Sequence, residues 1–262
     1  MPEPLFWVYA ALFGAIVGSF LNVCVHRWPA GESVVTPRSR CPSCEKPIAW
    51  YDNIPVLSYI VLRGRCRSCA GPVSIQYPLV ELATAAIWLA AALRFGLDLE
   101  ALRSAAFLTI LLGIALTDAR HMVIPDQFSL GGALLGIAFA AVPGGFPLLA
   151  AVVGSVAGYV LLRGIAWAGE RIFRRPALGL GDVHMMAMVG AFIGIPGMLL
   201  TILLGSFLGL VLGVPFTWWR GKLTLLGTYL PLGTFLAMGA AIAHGWGDLL
   251  VAWYLEFALG AP

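Results

Sequence analysis

The chain has 262 residues, of which 60% are hydrophobic and only 11% charged, with a formal net charge of +3. A soluble domain carries roughly 25% charged residues and must still cover about half its exterior for water, so this composition excludes an ordinary soluble fold and indicates a membrane protein. So small a net charge, with no basic or acidic tail, gives no reason to expect a nucleic-acid partner.

In chain order, apolar segments predict an all-α polytopic protein of the lipid bilayer with about eight transmembrane helices. They lie near residues 5–25, 78–95, 101–117, 128–144, 147–167, 183–194, 197–217 and 230–246. The first lacks a basic flank and a small-residue cleavage site, so it is expected to be retained as a helix. Its Gly14 and Gly18 form a small-residue step suited to close helix packing, and Cys24 reads as a small packing residue. Segment 183–194 is too short to span alone and must borrow from its flanks. Segment 248–258 either extends the last helix or lies at the interface. The expected regions are 1–25 (first helix), 26–77 (polar loop) and 78–262 (membrane core). No internal repeat or low-complexity stretch is apparent.

Basic residues set the orientation. With the N-terminus outside, the inner loops hold thirteen of the sixteen Lys and Arg residues, among them Arg120, Arg220 and Lys222. The loop 26–77 is then cytoplasmic.

That loop carries Cys41-Pro-Ser-Cys44 and Cys66-Arg-Ser-Cys69, with 21 residues between the pairs. Two CxxC turns at this separation point to a four-thiolate zinc site. Disulfides are disfavoured where thiols stay reduced, and redox CxxC motifs seldom come as matched pairs. Four protein ligands leave no open position, so Cys41, Cys44, Cys66 and Cys69 are expected to hold a structural zinc. The metal would order a loop with too few apolar residues for its own core.

Carboxylates at membrane depth are costly and default to functional candidates. Asp118 ends the third predicted span, and Asp182 stands in Gly179-Leu180-Gly181-Asp182 before the sixth. The orientation puts both at the cytoplasmic face. Two carboxylates that meet can share one proton, one acting as general base and one as general acid, which activates water against a peptide bond. Gly179 and Gly181 would let a substrate strand approach closely. Two plainer roles stay open here: Asp182 as a helix N-cap, and Asp118 as a helix-end partner of Arg120 or His121. Asp126, after Pro125, reads as an N-cap.

At these residues the chain resembles the bacterial type IV prepilin peptidases, membrane aspartic proteases of the GxGD type. The likeness runs through Gly18-Ser19-Phe20-Leu21-Asn22-Val23, Pro37 to Cys44, Asn53 to Ser58, Leu62 to Cys69, and Tyr77-Pro78-Leu79-Val80-Glu81. It continues in Asp118 with Ile124-Pro125-Asp126, Gly179 to Asp182, and Pro231-Leu232-Gly233. The resemblance implies a bacterial inner-membrane enzyme with catalytic Asp118 and Asp182. Its substrates would be type IV prepilins or pseudopilins, cut after a glycine that ends a basic leader. Many members also methylate the new N-terminal residue with S-adenosylmethionine, for which the loop 26–77 is the expected region. Three positions depart from the family pattern: His184 stands where lysine is usual, and Leu232 and Thr234 replace Phe and Pro.

Three other classes are weaker. A transporter would place its ions near the midplane of repeated halves. A zinc-stabilised scaffold has no use for Gly-Leu-Gly-Asp beside a second aspartate. Ser19 has no base at its depth to make it a nucleophile.

Overall fold

The computed structural model describes residues 3–176, 178–215 and 230–259. Arg220 and Lys222, which enter the charge count above, lie outside the described residues. The described chain is all-helical, as expected. Its helices are α1 (Glu3–Arg27), α2 (Leu57–Val61), α3 (Gln76–Phe95), α4 (Leu99–His121), α5 (Asp126–Ala140), α6 (Leu148–Phe173), α7 (Leu180–Leu208) and α8 (Leu232–Leu259). A π-type turn, Gly209–Gly213, continues α7. Six of these helices are long and apolar enough to cross a membrane. Segment 248–258 belongs to α8 as its extension.

The chain forms two compact units, Met1–Thr109 and Ile110–Pro262. In the first, α1 packs on α3. A Cβ on Gly14 would lie 2.9 Å from the Thr84 carbonyl oxygen, and one on Gly18 would lie 2.8 Å from the Glu81 Cα. The glycine step is therefore a packing device, as read from the sequence. Helix α3 ends where Gly96 takes φ 67° and returns its N–H to the Ala92 carbonyl.

The second unit is built around α7. The expected spans 183–194 and 197–217 are two limbs of this element, broken at Gly194. With φ 68° and ψ −174°, Gly194 leaves helical space, and Pro196 opens the limb that follows. Neighbouring helices reveal the direction of each limb. Met188 and Phe192 of the first limb meet Gly132 and Gly136 of α5, so those helices run parallel. Gly158 and Gly154 of α6 meet Met186 and Gly190, so α6 runs antiparallel to that limb. Along α8, Phe235 meets Gly213, Leu236 meets Gly205, and Gly239 meets Thr201, so the second limb runs antiparallel to α8. The first limb leads away from Asp182 and the second returns toward the start of α8. The first limb and the 15-residue α5 are each only about 21–23 Å long at 1.5 Å per residue.

The crossing of α6 and α7 depends on two glycines. A Cβ on Gly190 would collide with the Gly154 carbonyl oxygen, and the reverse holds for Gly154. Both partners are backbone and cannot swing aside. Gly190→Leu is therefore expected to destabilise the second unit by about 3 kcal/mol, the upper end for overpacking. Thermal unfolding in detergent checks this, and an unchanged midpoint would refute the close crossing.

Candidate active site

Asp118 lies in the last turn of α4, where Thr117 ties its own hydroxyl back to the Gly113 carbonyl at 3.0 Å. The Asp118 carboxylate is buried and is held from α8. The Thr234 N–H donates to its Oδ2 at 2.7 Å, and the Thr234 hydroxyl lies 3.1 Å from the same oxygen. That hydroxyl is also 3.2 Å from the Ala115 carbonyl, and its single proton serves one acceptor at a time. Among the described residues no ion pair reaches Asp118, so neither Arg120 nor His121 neutralises it.

Asp182 occupies the first turn of α7, whose N-cap is Gly179. It is therefore not the N-cap aspartate that its spacing also allowed. Its carboxylate turns back instead to the Gly179 N–H. Asp118 and Asp182 lie within range of each other's charge. The side chain of Ile124 links the two helix ends. A Cβ on Gly181 would lie 2.9 Å from Ile124 Cβ, and one on Gly233 would lie 2.5 Å from Ile124 Cδ1 and 3.1 Å from Asp118 Cγ. Gly181 and Gly233 thus owe their small size to this packing, which draws the starts of α7 and α8 toward the end of α4.

Two residues here have roles that sequence reasoning missed. Thr234 is visible in the sequence only as a departure at a position where proline is usual. Proline has no N–H, so the 2.7 Å backbone bond to Asp118 depends on that departure. Asp126 caps nothing: Pro125 is the N-cap of α5, and no side chain bonds there. Its Oδ1 lies 2.8 Å from His184 Nδ1, whose ring stacks on Tyr159 at 6.1 Å. The pair joins the starts of α5 and α7. Because Asp126 is exposed, a double-mutant cycle of Asp126→Asn and His184→Ala is expected to give about 0.2–1 kcal/mol of coupling. His184→Lys should keep most of it. A coupling beyond that range in unfolding measurements would contradict the solvated geometry.

The four cysteines of the loop come together as expected. Their sulfur atoms all lie within 4.8 Å of one another, and none is in a disulfide. Cys41 Sγ and Cys69 Sγ are 3.8 Å apart. Zinc–sulfur bonds of about 2.3 Å in a tetrahedron place sulfurs about 3.8 Å apart, so the cluster fits a four-thiolate metal site. The site is made of one turn used twice. Cys41 N–H bonds the Lys46 carbonyl and Cys66 N–H bonds the Gly71 carbonyl. The fourth residue on from each first cysteine, Glu45 and Ala70, takes a positive φ of 58° and 56°. Bridges Arg40–Pro47 and Arg65–Pro72 close the two turns. An eight-residue repeat, Arg-Cys-x-Ser-Cys-x-x-Pro at 40–47 and 65–72, underlies them, although the sequence reads as free of repeats. The Arg67 guanidinium grips both Asp52 oxygens at 2.6–3.0 Å. This contact holds the Asp52 carboxyl below the usual carboxylate range and ties the second turn to the segment Trp50–Asn53.

Two family models match the chain. One, described as Bacterial Peptidase A24 N-terminal domain, covers residues 12–95. The other, Type IV leader peptidase family, covers residues 105–214. Similar curated proteins carry the name prepilin leader peptidase/N-methyltransferase. That of Myxococcus xanthus is 41% identical over 80% of this chain and 63% of its own length, so this match spans less than two thirds of that relative. That of Aeromonas hydrophila is 34% identical over 95% of this chain and 94% of its own. That of Pseudomonas aeruginosa is 36% identical over 98% and 96%. No solved structure matches.

Proposed function

The chain belongs to the type IV leader peptidase family, and from that premise we propose that Asp118 and Asp182 are the proteolytic pair of a prepilin leader peptidase/N-methyltransferase. The observation that carries the assignment is the convergence of two carboxylates from different helix ends, with no ion pair to Asp118 among the described residues. Thr234 donates to Asp118 Oδ2, and a water molecule held between the two carboxylates would be the nucleophile. One carboxylate, ionised, takes a proton from that water as it attacks the scissile carbonyl. The other, protonated, gives its proton to the carbonyl oxygen; when the C–N bond breaks, the first carboxylate passes the water's proton to the leaving amine and the second recovers its own from the diol hydroxyl. Gly179 and Gly181 flank Asp182 and leave room for an extended substrate backbone.

The break at Gly194 favours counting the two limbs of α7 as separate crossings, which with α5 gives the eight spans of the sequence reading. The bias of Lys and Arg then argues for an external N-terminus, with the cysteine loop and both aspartates at the cytoplasmic face of the bacterial inner membrane. A type IV prepilin inserted with its basic leader inside and its apolar helix in the bilayer would present its cleavage point at that face. Because α5 and the first limb fall short of the ~30 Å hydrocarbon core, the Asp182 end is recessed toward it.

Zinc is the metal that the four thiolates best suit, and with all positions filled its contribution is to order the loop. S-adenosylmethionine is the methyl donor of the second activity, which we assign to the first unit and its loop 26–77. The test is a model prepilin incubated in detergent with and without S-adenosylmethionine, followed by mass spectrometry. The expected products are a leader-free pilin and, with the donor, one that is heavier by a single methyl group. An uncut substrate overturns the peptidase reading, and a cut but never methylated one overturns the second half.

A further inference from the structure

The first unit holds a polar cluster that the peptidase does not use. Glu81, on α3, is buried, and among the described residues no cation pairs with it. Its Oε2 accepts the Val56 N–H at 2.8 Å, so the carboxylate forms the floor of the loop 26–77. Val56 adopts φ 61° and ψ −47°, a conformation disfavoured for a β-branched residue and typical of ligand-clamping segments. One helical turn along the α1–α3 seam lies Asn22, whose Nδ2 donates to the Tyr77 carbonyl at 3.1 Å. Asn22 Oδ1 is buried with no partner, and so is Gln76 Nε2 at the start of α3. An unpaired buried polar atom is costly and calls for an explanation.

The cluster thus presents a carboxylate that receives the Val56 N–H and the Ser19 hydroxyl but, among the described residues, no cation, together with an unpaired acceptor and an unpaired donor. A peptide N-terminus presents the complement: an ammonium with three donors, then a carbonyl acceptor. We propose that Glu81 and Asn22 bind the α-amine exposed by leader removal, with Gln76 donating to its first carbonyl, and that Glu81 accepts the proton released when the amine is methylated. An α-amine has a pKa near 7.7–8.0, roughly, and is mostly protonated at neutral pH, so it must lose a proton before it can attack. Glu81 holds the ammonium and takes that proton. The nitrogen lone pair then forms a bond to the methyl carbon of S-adenosylmethionine. The carbon–sulfur bond breaks with its electrons on sulfur, giving the neutral thioether S-adenosylhomocysteine. The second N–H proton, acidic on the methylated ammonium, remains or leaves to solvent. Cleavage has to come first, because the amine does not exist before it.

This inference rests on the methyl-transfer half of the reading above, and methylation by the wild type checks that half separately. The deciding variant is Glu81→Gln. Its amide oxygen can still accept the Val56 N–H, so the loop keeps its anchor, but the charge and the proton acceptor are lost. The expected result is methylation slowed by about 100-fold or more, as for loss of a general base, with metal content and protease resistance of the loop unchanged. Binding gives a second readout that needs no methyl donor. A leader-free pilin peptide should bind wild type about tenfold or more tightly than its N-acetylated form, as a charge-assisted contact requires, and Glu81→Gln and Asn22→Ala should each erase that difference. The proposal is overturned if Glu81→Gln methylates at the wild-type rate, if the free and acetylated peptides bind wild type equally, or if methylation falls only together with metal and loop order. The last outcome would reduce Glu81 to an anchor for Val56.

Discussion

Asp118→Asn and Asp182→Asn should each slow cleavage of a model prepilin by about 1,000-fold or more, within the range for loss of an essential acid or base. The double variant should be no worse than the slower single one, since residues that act as one unit are not additive. Asparagine is the informative replacement. It keeps the size of aspartate, and its amide oxygen can still accept the Thr234 N–H now given to Asp118 Oδ2. The helix ends gathered by Ile124, Gly181 and Gly233 should therefore stay in place, and folding is checked by an unchanged unfolding midpoint. What asparagine cannot do is take a proton from water at neutral pH. Initial rates with mass-spectrometric identification of the cut end are the measurement. Full cleavage by either folded variant would refute the pair and favour a reading in which the carboxylates serve another task, such as ion movement.

Asp118 and Asp182 were legible as candidates because two carboxylates at one membrane depth are rare and expensive. What holds them was not legible. Thr234 lies 116 residues from Asp118, and its bond is made by a backbone N–H, which every residue but proline owns. The only sequence sign was the absence of that proline. Asp126 misled for a related reason. Its place after Pro125 matches a cap, but the backbone turns one residue earlier and frees the side chain for His184. The hairpin in α7 was half legible. Gly194 and Pro196 marked the break, whereas the return of the chain is fixed by packing of α5, α6 and α8 against the two limbs. The repeated cysteine turns leave little trace as a repeat, because eight residues are short against a chain of 262. The buried polar groups of Asn22, Gln76 and Glu81 had no joint sequence signal, since Asn22 reaches the Tyr77 carbonyl only when α1 packs on α3.

The second large effect is expected at the cysteines. Replacing Cys41 and Cys69 by serine, or stripping the metal with a chelator, should abolish stoichiometric zinc and make residues 26–77 sensitive to protease. In small zinc peptides the metal supplies about 10–16 kcal/mol of apparent binding free energy. A loop whose only regular elements are short turns and the five-residue α2 has no comparable source of order. Methylation should fail with the loop, because Val56 is its anchor point on Glu81. Cleavage should persist at a measurable level, since every contact found to hold Asp118 and Asp182 comes from within residues 110–262. Acid should have the same effect as the chelator. The N–H groups of Cys44 and Ser43 hold the Cys41 thiol down to about 6, from an ordinary value of 9.0. A thiol lowered on folding contributes stability above its unfolded value, and that contribution is lost as pH falls through the folded one. Cys41 is thus more acidic than an ordinary thiol, while the neighbouring thiols push Cys69 the other way, to about 11; zinc must displace the protons that remain, so its hold weakens as pH falls. Metal analysis after dialysis across pH 5 to 8, at the ~1-unit spacing that resolves a single titration, should show zinc retained at the upper end and released at the lower. An intact loop in the metal-free protein would mean that the four sulfurs are not what orders this region.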